Sequence, residues 1–456
     1  MSDILDTPAP VPSYYQQLTC RVCGSKELES LFSLGAQIVS DFVSPEKVNE
    51  GAVCPIEMMY CRSCTLVQQR YAVSRDSLYC QHYPYRSGVT QTMRGALRDL
   101  AASAERVGNL HAGDIVCDLG SNDGSLLRSY TVPGLIRVGV EPAANLHAEG
   151  EQGIECLVKD FWSEKAWLKS LWWLDPDTAP LAKVITAAGM LYDLPDPGPF
   201  IAAVAKALTP KGVFIAQFMG LKDTLETNDI GNLCHEHLEL YSLASLNRLY
   251  RDNGLALFGL EQNAVNGGSY RIYAAHRGEE ALVKMRTWPQ LRRELARAIA
   301  YEGRQCWPAL CKEFYRRAHD KRLLCLDYLC QARAAGKRVH VLGASTKGNV
   351  LLQWYGLDLA WIEAASERSP EKWGKATIAT GIPIVSEEQS RSMKPDVYLV
   401  LPCAFLDEII AREQAFLRAG SEFLVPLPFP RIVRLEGEYL VQSPLPLQGA
   451  GERADS

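Results

Sequence analysis

A buried strand that ends in a glycine-bounded turn lies at residues 114–124, and it constrains the fold more than any other segment. The stretch DIVCDLGSNDGSLL predicts a strand from Asp114 to Asp118, a turn from Gly120 to Gly124 and a helix from Ser125 onward. The next predicted strand, in LIRVGVEP, ends at Glu141, where a carboxylate can accept hydrogen bonds from both hydroxyls of a ribose. This order predicts the first half of a nucleotide-binding α/β domain.

Further predicted elements extend this domain and add a second domain of the same class. The last two strands of the first domain flank an Asn-Gly-Gly turn and predict an antiparallel hairpin. A long, charged and periodic stretch then predicts a helical connector, after which the strand–loop–helix order returns around the loop GASTKGN. The predicted elements are a helix at 90–107, strands at 183–188, 213–218, 255–260 and 269–275, the connector at 286–331, a strand at 338–342, a helix from the GASTKGN loop to 353, and strands at 359–363, 396–401 and 422–425.

Four of the 14 cysteines form two Cys-x-x-Cys pairs, Cys20 with Cys23 and Cys61 with Cys64. Each pair can stand on a tight knuckle that aims both thiolates at one point, so the two pairs together fit a tetrahedral four-thiolate zinc site. A single pair could instead be a redox dithiol, but this segment lacks the thioredoxin-like context of such a pair. We therefore predict a small zinc-holding lobe, with the nearby Cys54 as a buried apolar residue.

Length and composition set the remaining bounds. At about 150 residues per domain, 456 residues predict about three domains. The 48 basic and 53 acidic side chains leave a net charge of −5, which argues against a dedicated partner of nucleic acid. Because no apolar run approaches the roughly 20 residues that cross a bilayer, we expect a cytoplasmic protein with no membrane partner. The expected division is a zinc lobe at 1–78, a cofactor domain at 79–285, the connector at 286–334, a C-terminal domain at 335–445 and a disordered tail at 446–456.

The turn Gly120-Ser121-Asn122-Asp123-Gly124 lacks the third glycine and the spacing of the Gly-x-Gly-x-x-Gly turn in dinucleotide enzymes. It resembles motif I of the class I S-adenosylmethionine-dependent methyltransferases, in which a glycine-rich turn passes under the methionine moiety. The alternative is a generic Rossmann-like domain whose glycines only form the turn. Under the resemblance, Asp160 and Phe161 flank the adenine, and the full set of cofactor-binding residues is Gly120, Asn122, Asp123, Gly124, Glu141, Asp160 and Phe161.

Taken in order along the chain, six motifs resemble those of the three-domain sugar C-methyltransferases of deoxysugar biosynthesis. The motifs are the double Cys-x-x-Cys pattern, counted as one, then YPYRSG, GSNDGSLL, CHEHLELYS, NGGS and GASTKGN. The resemblance spans about Cys20 to Pro428 and implies an N-terminal zinc lobe, a central class I methyltransferase Rossmann-like domain and a C-terminal Rossmann-like α/β domain. It also implies S-adenosylmethionine as cofactor, a structural Zn²⁺ and, as substrate, a nucleotide-diphosphate 4-keto-6-deoxysugar that is methylated at carbon 3.

The segment GNLCHEHLELYSL carries the expected proton-transfer chemistry. Its His-Glu-His triplet does not predict a metal site, since adjacent residues alternate faces on a strand and fan out by about 100° on a helix. A neighbouring carboxylate can instead orient the imidazole of a histidine and hold its pKa near neutrality, as proton transfer requires. The alternative is that His235 and His237 are core or helix-end residues. The resemblance implies that His237 is the base, with Glu236 beside it, whereas Cys234 occupies the position of a family tyrosine.

Other positions of the family's pocket also differ in this chain. Gly189 and Asp193 stand where Asn and His are common, and Gln217 and Met219 stand where an acidic residue and a Pro-Tyr pair are usual. Two alternatives to carbon methylation of a sugar therefore stay open. The scaffold could methylate an oxygen, a nitrogen or a non-sugar acceptor, or it could bind S-adenosylmethionine without turnover.

Three segments supply candidate substrate-binding residues. The aromatic YPYRSG loop could cap a sugar and pair with a phosphate, or anchor a domain junction. The GASTKGN loop joins a strand to a helix start, where backbone amides and a lysine form an anion site for the diphosphate, unless its glycines only permit tight packing. Arg271 lies on a strand that lines the family's pocket, or it is an exposed edge cation. We expect a monomer or weak homodimer whose candidate substrate residues are Tyr83, Tyr85, Arg86, Arg271, Lys347 and Asn349.

Overall fold

The computed structural model describes residues 14–79, 83–170 and 180–445, and it begins with an antiparallel unit around the paired cysteines. A long hairpin forms its centre, with register shifts after Ser30 and Ser33 that bend one strand. The elements are β1 (Tyr14–Gln16), β2 (Leu28–Ile38), β3 (Phe42–Val43), β4 (Val53–Cys61), β5 (Val67–Gln69), β6 (Tyr71–Val73) and α1 (Arg75–Tyr79).

The central domain follows. Its elements are α2 (Gln91–Gly108), β7 (Ile115–Leu119), β8 (Ile136–Val140), α3 (His147–Gly150), β9 (Cys156–Val158), α4 (Glu164–Ser170), β10 (Ala182–Ala188), α5 (Pro197–Ala207), β11 (Leu208–Phe218), α6 (Leu221–Thr227), β12 (Glu239–Leu240), α7 (Leu243–Asp252), β13 (Leu255–Asn263) and β14 (Ser269–His276). Seven strands form one sheet in the order β13-β14-β11-β10-β7-β8-β9, in which β14 runs antiparallel to both neighbours. The predicted β13–β14 hairpin is therefore present.

The predicted connector is three helices, and the C-terminal domain is a second seven-stranded sheet in the order β18-β16-β15-β19-β20-β21-β22. Its first five strands are parallel and its last two are antiparallel. The elements are α8 (Glu279–Thr287), α9 (Pro289–Glu302), α10 (Trp307–Ala334), β15 (Val339–Leu342), α11 (Thr346–Tyr355), β16 (Ala364–Glu367), β17 (Ala376–Thr377), β18 (Ile384–Ser386), α12 (Glu387–Ser392), β19 (Val397–Val400), α13 (Leu406–Arg412), α14 (Gln414–Arg418), β20 (Glu422–Val425), β21 (Arg431–Glu436) and β22 (Tyr439–Pro444).

The N-terminal unit shares strands with both of the other domains. β12 of the central domain completes the sheet β12-β5-β4-β2, and β17 of the C-terminal domain pairs with β3. A single apolar cluster joins Ile56 of β4, Leu233 before β12, Phe314 of α10 and Leu351 of α11, all of them fully or almost fully buried. Burial of this common core stabilises the contact between the parts that the sequence predicts as separate domains.

Two predicted elements differ in the structure. Ser125 does not begin a long helix: a short 3-10 turn spans Leu127–Ser129, because the Arg128 guanidinium binds the carbonyls of Asp123, Glu149 and Gln152 and Pro133-Gly134 follow soon after.

The strand predicted at 359–363 begins later, at Ala364, since Asp358 forms a turn in which its Oδ1 accepts from the Ala360 amide at 2.8 Å. The predicted tail at 446–456 lies outside the described residues. No helix within the described ranges is long and apolar enough to cross a membrane.

Candidate functional site

The four paired cysteines meet at one point of the N-terminal unit. All four Sγ atoms lie within 4.8 Å of one another, with Cys20 Sγ 3.4 Å from Cys64 Sγ and Cys23 Sγ 3.6 Å from Cys61 Sγ. A tetrahedron with Zn–S bonds of about 2.3 Å has S–S edges of about 3.8 Å, so the spacing suits zinc. The donor set fits a closed structural site, as the spacing of the cysteines predicts.

A cavity of about 620 Å³ opens where the N-terminal unit, the central sheet and the C-terminal domain meet. It lies at the carboxyl ends of the parallel strands β7, β8, β10 and β11, which is where α/β sheets bind ligands. Among the residues that line it are Tyr79, Tyr83, Tyr85, Gly120, Asn122, Glu141, Phe161, Tyr192, Asp193, Gln217, Cys234, Glu236, His237, Ser345, Lys347 and Lys372.

The Glu141 carboxylate is fixed at the end of β8. Its Oε2 accepts from the Asn122 amide at 2.9 Å and its Oε1 accepts from the Ala143 amide at 2.8 Å. Burial raises its pKa, and no cation within the described residues lies at ion-pair distance from it. Each oxygen keeps a second lone pair, so the carboxylate can still accept the two hydroxyl groups of a ribose.

The turn itself bends through three left-handed residues, Gly120 (φ 68°), Asn122 (φ 53°) and Gly124 (φ 77°). A Cβ at Gly124 would lie 3.0 Å from the carbonyl oxygen of Gly150, so this position also requires the absence of a side chain. The turn therefore brings Gly120 and Asn122 to the cavity beside Glu141.

The Asn122 and Asp123 side chains hold the YPYRSG loop. Asn122 donates from Nδ2 to the Tyr85 carbonyl at 3.1 Å and accepts from the Ser87 amide at 2.9 Å, and Asp123 Oδ2 accepts from the Gly88 amide at 2.7 Å. These contacts place the loop over the turn and bring Tyr83 and Tyr85 to the cavity. Asn122 and Asp123 are therefore part of the glycine turn and also fix the position of the YPYRSG loop.

Of the two residues expected to flank the adenine, Asp160 and Phe161, only Phe161 lines the cavity. Phe161 lines the cavity, and the Arg75 guanidinium lies 4.1 Å from the centre of its ring. Asp160 is exposed and is not one of the lining residues. A buried acid that the sequence analysis did not single out, Asp118 at the end of β7, also lines the cavity; burial raises its pKa to about 7, and it accepts from the Thr186 hydroxyl at 2.7 Å.

His237 also lines the cavity, and one of its two ring nitrogens has a partner within the protein. Its Nδ1 is 2.9 Å from the Asn232 carbonyl oxygen, which can only accept, so Nδ1 carries the proton and Nε2 is free to accept one. Burial, followed by the charge of Lys347, lowers its pKa to about 3. The ring also contacts Tyr192, at 4.3 Å between centroids. His237 is therefore a neutral imidazole whose tautomer is fixed.

The companion histidine has a different environment. His235 is 1% exposed, and its Nε2 lies 2.9 Å from the Cys54 carbonyl oxygen of β4. It does not line the cavity. His235 is therefore a core residue, which is one of the two interpretations that the sequence leaves open for both histidines. His237 lines the cavity.

Two buried carboxyl groups and a thiol line the same cavity as His237. Burial raises the pKa of Glu236 to about 7 and raises the pKa of Asp193 well above its usual range. Burial also raises the pKa of the Cys234 thiol, with the charge of Glu236 as the next cause. A thiol in this environment stays protonated, so Cys234 is not a substitute for an ionisable phenol.

Arg271 does not line the cavity. It is 3% exposed and donates to Asp99 at 2.7 Å, to Glu261 at 3.1 Å and, from Nε, to Gln217 Oε1 at 2.7 Å. The sequence left two interpretations of Arg271 open, a pocket residue and an exposed edge cation, and this placement differs from both. The reason is that two carboxylates bind the guanidinium within the protein. Since Arg271 can only donate, it fixes the oxygen of the Gln217 amide and leaves the Nε2 donors of that cavity-lining residue on the other side.

The other predicted substrate residues are placed unequally. Lys347 lines the cavity, 3.1 Å from Asp229 Oδ2. Asn349 is buried, donates to the Asp41 carbonyl at 3.0 Å and is not a lining residue. Arg86 is not a lining residue either: it bridges Glu149 and Glu371 at 2.5 and 2.6 Å, and so ties the central domain to the C-terminal one.

Sequence reasoning missed Glu367, the last residue of β16, whose place resembles that of Glu141 directly after β8. Its Oε2 accepts from the Ala344 amide in the loop after the first strand, at 2.8 Å. An acid that ends the second strand after a glycine loop is the signal that could have found it, but the predicted strand stopped at residue 363.

Comparisons with known proteins agree with this geometry. Family models match residues 20–79 as a zinc binding domain, residues 85–258 as a methyltransferase domain and residues 264–428 as a C-methyltransferase C-terminal domain. The C-methyltransferase NovU of Streptomyces niveus is 31% identical over 427 residues, which cover 91% of this chain and 97% of that protein.

Solved structures overlap the chain only in part. A magnesium protoporphyrin IX methyltransferase from Synechocystis PCC 6803 is 14% identical, with 40% of this chain and 79% of that chain covered and a TM-score of 0.30. An S-adenosylmethionine-dependent methyltransferase from Clostridium acetobutylicum ATCC 824 is 14% identical, with 41% and 92% covered and a TM-score of 0.31.

The long match to one relative and the three consecutive family models confirm the resemblance that the motifs indicate. The cluster of four cysteines and the zinc-binding family model agree on the metal, and the glycine turn with Glu141 agrees with the methyltransferase model on the cofactor. The chain therefore belongs to the three-domain C-methyltransferases, enzymes that use S-adenosylmethionine and carry a zinc-binding N-terminal domain.

Proposed function

We propose that this C-methyltransferase acts on a nucleotide-diphosphate 4-keto-6-deoxysugar and transfers the methyl group to carbon 3. The observation that carries the proposal is His237, a neutral imidazole in the cavity whose Nδ1–H is committed to the Asn232 carbonyl. Its Nε2 is then the nitrogen that accepts a proton from a carbon acid. A C–H beside a ketone is acidic enough for this step only when a base is positioned at it.

The proposed reaction balances as a proton transfer followed by a methyl transfer. S-adenosylmethionine, when bound, supplies an electrophilic methyl group. His237 accepts the proton of carbon 3 at Nε2, and the electron pair of the broken C–H bond passes into an enolate. Carbon 3 then forms the new C–C bond as the sulfur–methyl bond breaks, with that electron pair returning to sulfur. Of the residues expected to bind the cofactor, Gly120, Asn122, Glu141 and Phe161 line the cavity and would hold S-adenosylmethionine there. Asp123 and Gly124 would support them through the shape of the turn and the loop above it.

Gln217 supports a ketone as the group that is activated. Because Arg271 holds Gln217 Oε1, the amide Nε2 can donate to a substrate oxygen and not accept from it. A donor of this kind stabilises the charge that develops on the ketone oxygen as the enolate forms. Gln217 stands where the family resemblance implies an acidic residue, so this chain presents a donor where an acceptor is usual.

Cations on the C-terminal side support a diphosphate. Lys347 lies in the first turn of α11, whose amides are capped by Ser345, and Lys372 lines the same cavity. Oriented amides and two lysines favour an anion. An anion next to Lys347 would also offset the charge that lowers the pKa of His237, and so make the imidazole a stronger base when substrate is bound. Tyr83 and Tyr85 would cover the sugar from the loop above.

Incubation with labelled S-adenosylmethionine and thymidine-, guanosine- and cytidine-diphosphate 4-keto-6-deoxysugars tests the proposal. We expect a methyl group on carbon 3 of one of these sugars, and exchange of the carbon 3 hydrogen with deuterated solvent. Methylation of an oxygen or nitrogen would contradict the carbon acceptor. Binding of S-adenosylmethionine with no transfer to any sugar of the panel would contradict the substrate class.

The substitution His237→Ala tests the base. We expect turnover and carbon 3 exchange to fall ~100-fold or more, because general-base catalysis contributes at least this much, while the affinity for S-adenosylmethionine stays within about twofold. The matched control is His235→Gln, two residues away, which contacts the Cys54 carbonyl and not the cavity, and which should keep turnover within about threefold. Full turnover in His237→Ala would remove this residue from the mechanism.

A further inference from the structure

Gln69, a residue of the N-terminal zinc-binding unit, contacts both ends of the tetrapeptide Cys234–His237. Its side chain is buried, and its Nε2 donates to the Cys234 carbonyl at 2.6 Å and to the His237 carbonyl at 2.9 Å. Only the nitrogen of a glutamine amide can serve two carbonyl oxygens, so both donors of the group are used. The His237 N–H also donates to the Cys234 carbonyl, at 3.1 Å, so the Gln69 amide stabilises a turn that has its own backbone hydrogen bond.

The backbone of Gln69 is tied to the same segment. Its N–H donates to the Leu238 carbonyl at 2.8 Å, and β5 then pairs with β12, with Gln68 opposite Glu239. Side chain and backbone together hold the chain from Cys234 to Leu240 against the zinc-binding unit.

Arg21, which stands between two of the zinc ligands, fixes Gln69 in turn. Its guanidinium is fully buried; Nη1 donates to the Gln69 carbonyl at 2.7 Å, and Nε lies 3.5 Å from Glu239 Oε1, which is also fully buried. The Gln69 carbonyl is thus a hydrogen-bond acceptor for this buried charge, and Glu239 lies within ion-pair distance of it. The zinc knuckle is thus connected to the His237 segment through Arg21 and then Gln69.

We propose that Gln69 is a positioning residue for His237, held in place by the zinc knuckle through Arg21. The two carbonyls that it binds flank the histidine, so Gln69 sets where the imidazole Nε2 stands in the cavity. In this way the zinc-binding unit takes part in catalysis although neither Gln69 nor Arg21 lines the cavity. This inference rests on the proposed role of His237 as the base.

The test compares Gln69→Leu with Gln68→Leu. Both glutamines are fully buried neighbours on β5, but the Gln68 side chain binds the Arg21 backbone amide and the Thr19 carbonyl, and neither the Arg21 guanidinium nor the tetrapeptide Cys234–His237. In Gln69→Leu we expect kcat to fall ~10- to 100-fold, as a misplaced base predicts, with the dissociation constant of S-adenosylmethionine within about threefold. In Gln68→Leu we expect a similar loss of melting temperature and a kcat within about threefold. The substrate probe is thymidine-diphosphate 4-keto-6-deoxyglucose or whichever sugar of the panel is methylated.

Two further measurements keep the inference falsifiable. Hydrogen exchange at the amides of residues 234–240 should accelerate in Gln69→Leu and not in Gln68→Leu, which needs no substrate. If Gln69→Leu does not fold, Gln69→Asn, whose amide is one methylene shorter, should fold and show the same effects in weaker form.

Each outcome separates this inference from the proposed function. Unchanged kcat in Gln69→Leu, or kcat losses in both variants that follow the melting temperature, would overturn the positioning role. If His237→Ala keeps full turnover, the proposed base is wrong. If His237→Ala is inactive while Gln69→Leu is fully active, the base stands and the positioning role alone falls.

Discussion

The two seven-stranded sheets have the same glycine turn after their first strand in sequence, but they present side chains of opposite charge to the cavity. In the central sheet the Gly120 amide donates to the Val140 carbonyl, one residue before Glu141. In the C-terminal sheet the Gly343 amide donates to the Ser366 carbonyl, one residue before Glu367. Both glycines have a positive φ, 68° and 88°, so each loop leaves its first strand by the same backbone turn.

The two acids also bind their loops alike. Glu141 accepts from the loop amide of Asn122 and from Ala143, two residues onward, and Glu367 accepts from the loop amide of Ala344 and from Ser369, two residues onward. The same arrangement of strand, glycine and acid thus occurs twice in one chain.

The surroundings of the two acids then differ. Glu141 lines the cavity, and no cation in the described part of the chain lies at ion-pair distance from it. Lys372, by contrast, covers Glu367, with Nζ 3.9 Å from Oε2 and 2.8 Å from the Ala344 carbonyl. Lys372, and not Glu367, lines the cavity. One sheet therefore presents a carboxylate to the cavity, and the other presents a cation. Under the proposed function, the same arrangement of strand, glycine and acid would serve a cofactor in one sheet and a diphosphate in the other, according to which side chain covers the acid.

The largest expected effect is on the central acid. Glu141→Gln should weaken S-adenosylmethionine binding ~100-fold, or about 2.7 kcal/mol, because the amide nitrogen repels the backbone N–H groups of the turn and removes acceptors for the ribose. Glu367→Gln is the matched control and should leave this affinity within about twofold. Isothermal titration calorimetry of both variants measures their affinity for S-adenosylmethionine. Equal losses of affinity would contradict a cofactor role for Glu141 that Glu367 does not share.

The next effect separates the two glycine turns. Gly124→Ala should destabilise the protein by about 2 kcal/mol, because a left-handed backbone costs an alanine about 1–2 kcal/mol and its Cβ would stand 3.0 Å from the Gly150 oxygen. Gly343→Ala should cost about 1 kcal/mol, since its Cβ would meet only the Pro402 ring, at 3.0 Å. Urea unfolding compares the two, and a larger loss for Gly343→Ala would show that the C-terminal turn is the tighter one.

The smallest expected effect is on the C-terminal cation. Lys372→Met should raise KM for the nucleotide-diphosphate sugar ~10-fold, or about 1.4 kcal/mol, since the anion loses one cation and faces the uncovered Glu367. The affinity for S-adenosylmethionine should not change. Steady-state kinetics measures KM, and Lys375→Met, which replaces a lysine that does not line the cavity, is the control. An unchanged KM would mean that the diphosphate does not bind on this side.

Local patterns in the sequence predicted much of the fold. The strand–turn–strand order at residues 114–141, the β13–β14 hairpin and the helical connector are all present, because each depends on periodicity and turn residues that act over a short range. The helix expected from Ser125 is wrong because Arg128 binds carbonyls from a later part of the chain. The strand expected at 359–363 is wrong because a single aspartate at 358 forms a turn.

The candidate site was predictable only where its residues are consecutive or follow a fixed spacing. The zinc cysteines, the glycine turn with Glu141, and His237 lie where the motifs indicate. Arg271 and Asn349 are drawn into the protein by carboxylates and a carbonyl that are distant in sequence. Glu367 and Lys372 were not recognised as a pair, because their role depends on the folded C-terminal loop.

By itself the sequence determined the family, the cofactor, the paired zinc-binding cysteines and the order of the domains, since each of these depends on short motifs and their order along the chain. The tertiary structure alone decided which of the two histidines and which of the two equivalent acids lines the cavity, and which way the Gln217 amide points. The physical reason is that protonation, amide orientation and charge depend on neighbours within a few ångströms. In this chain many of those neighbours come from segments that are distant in sequence.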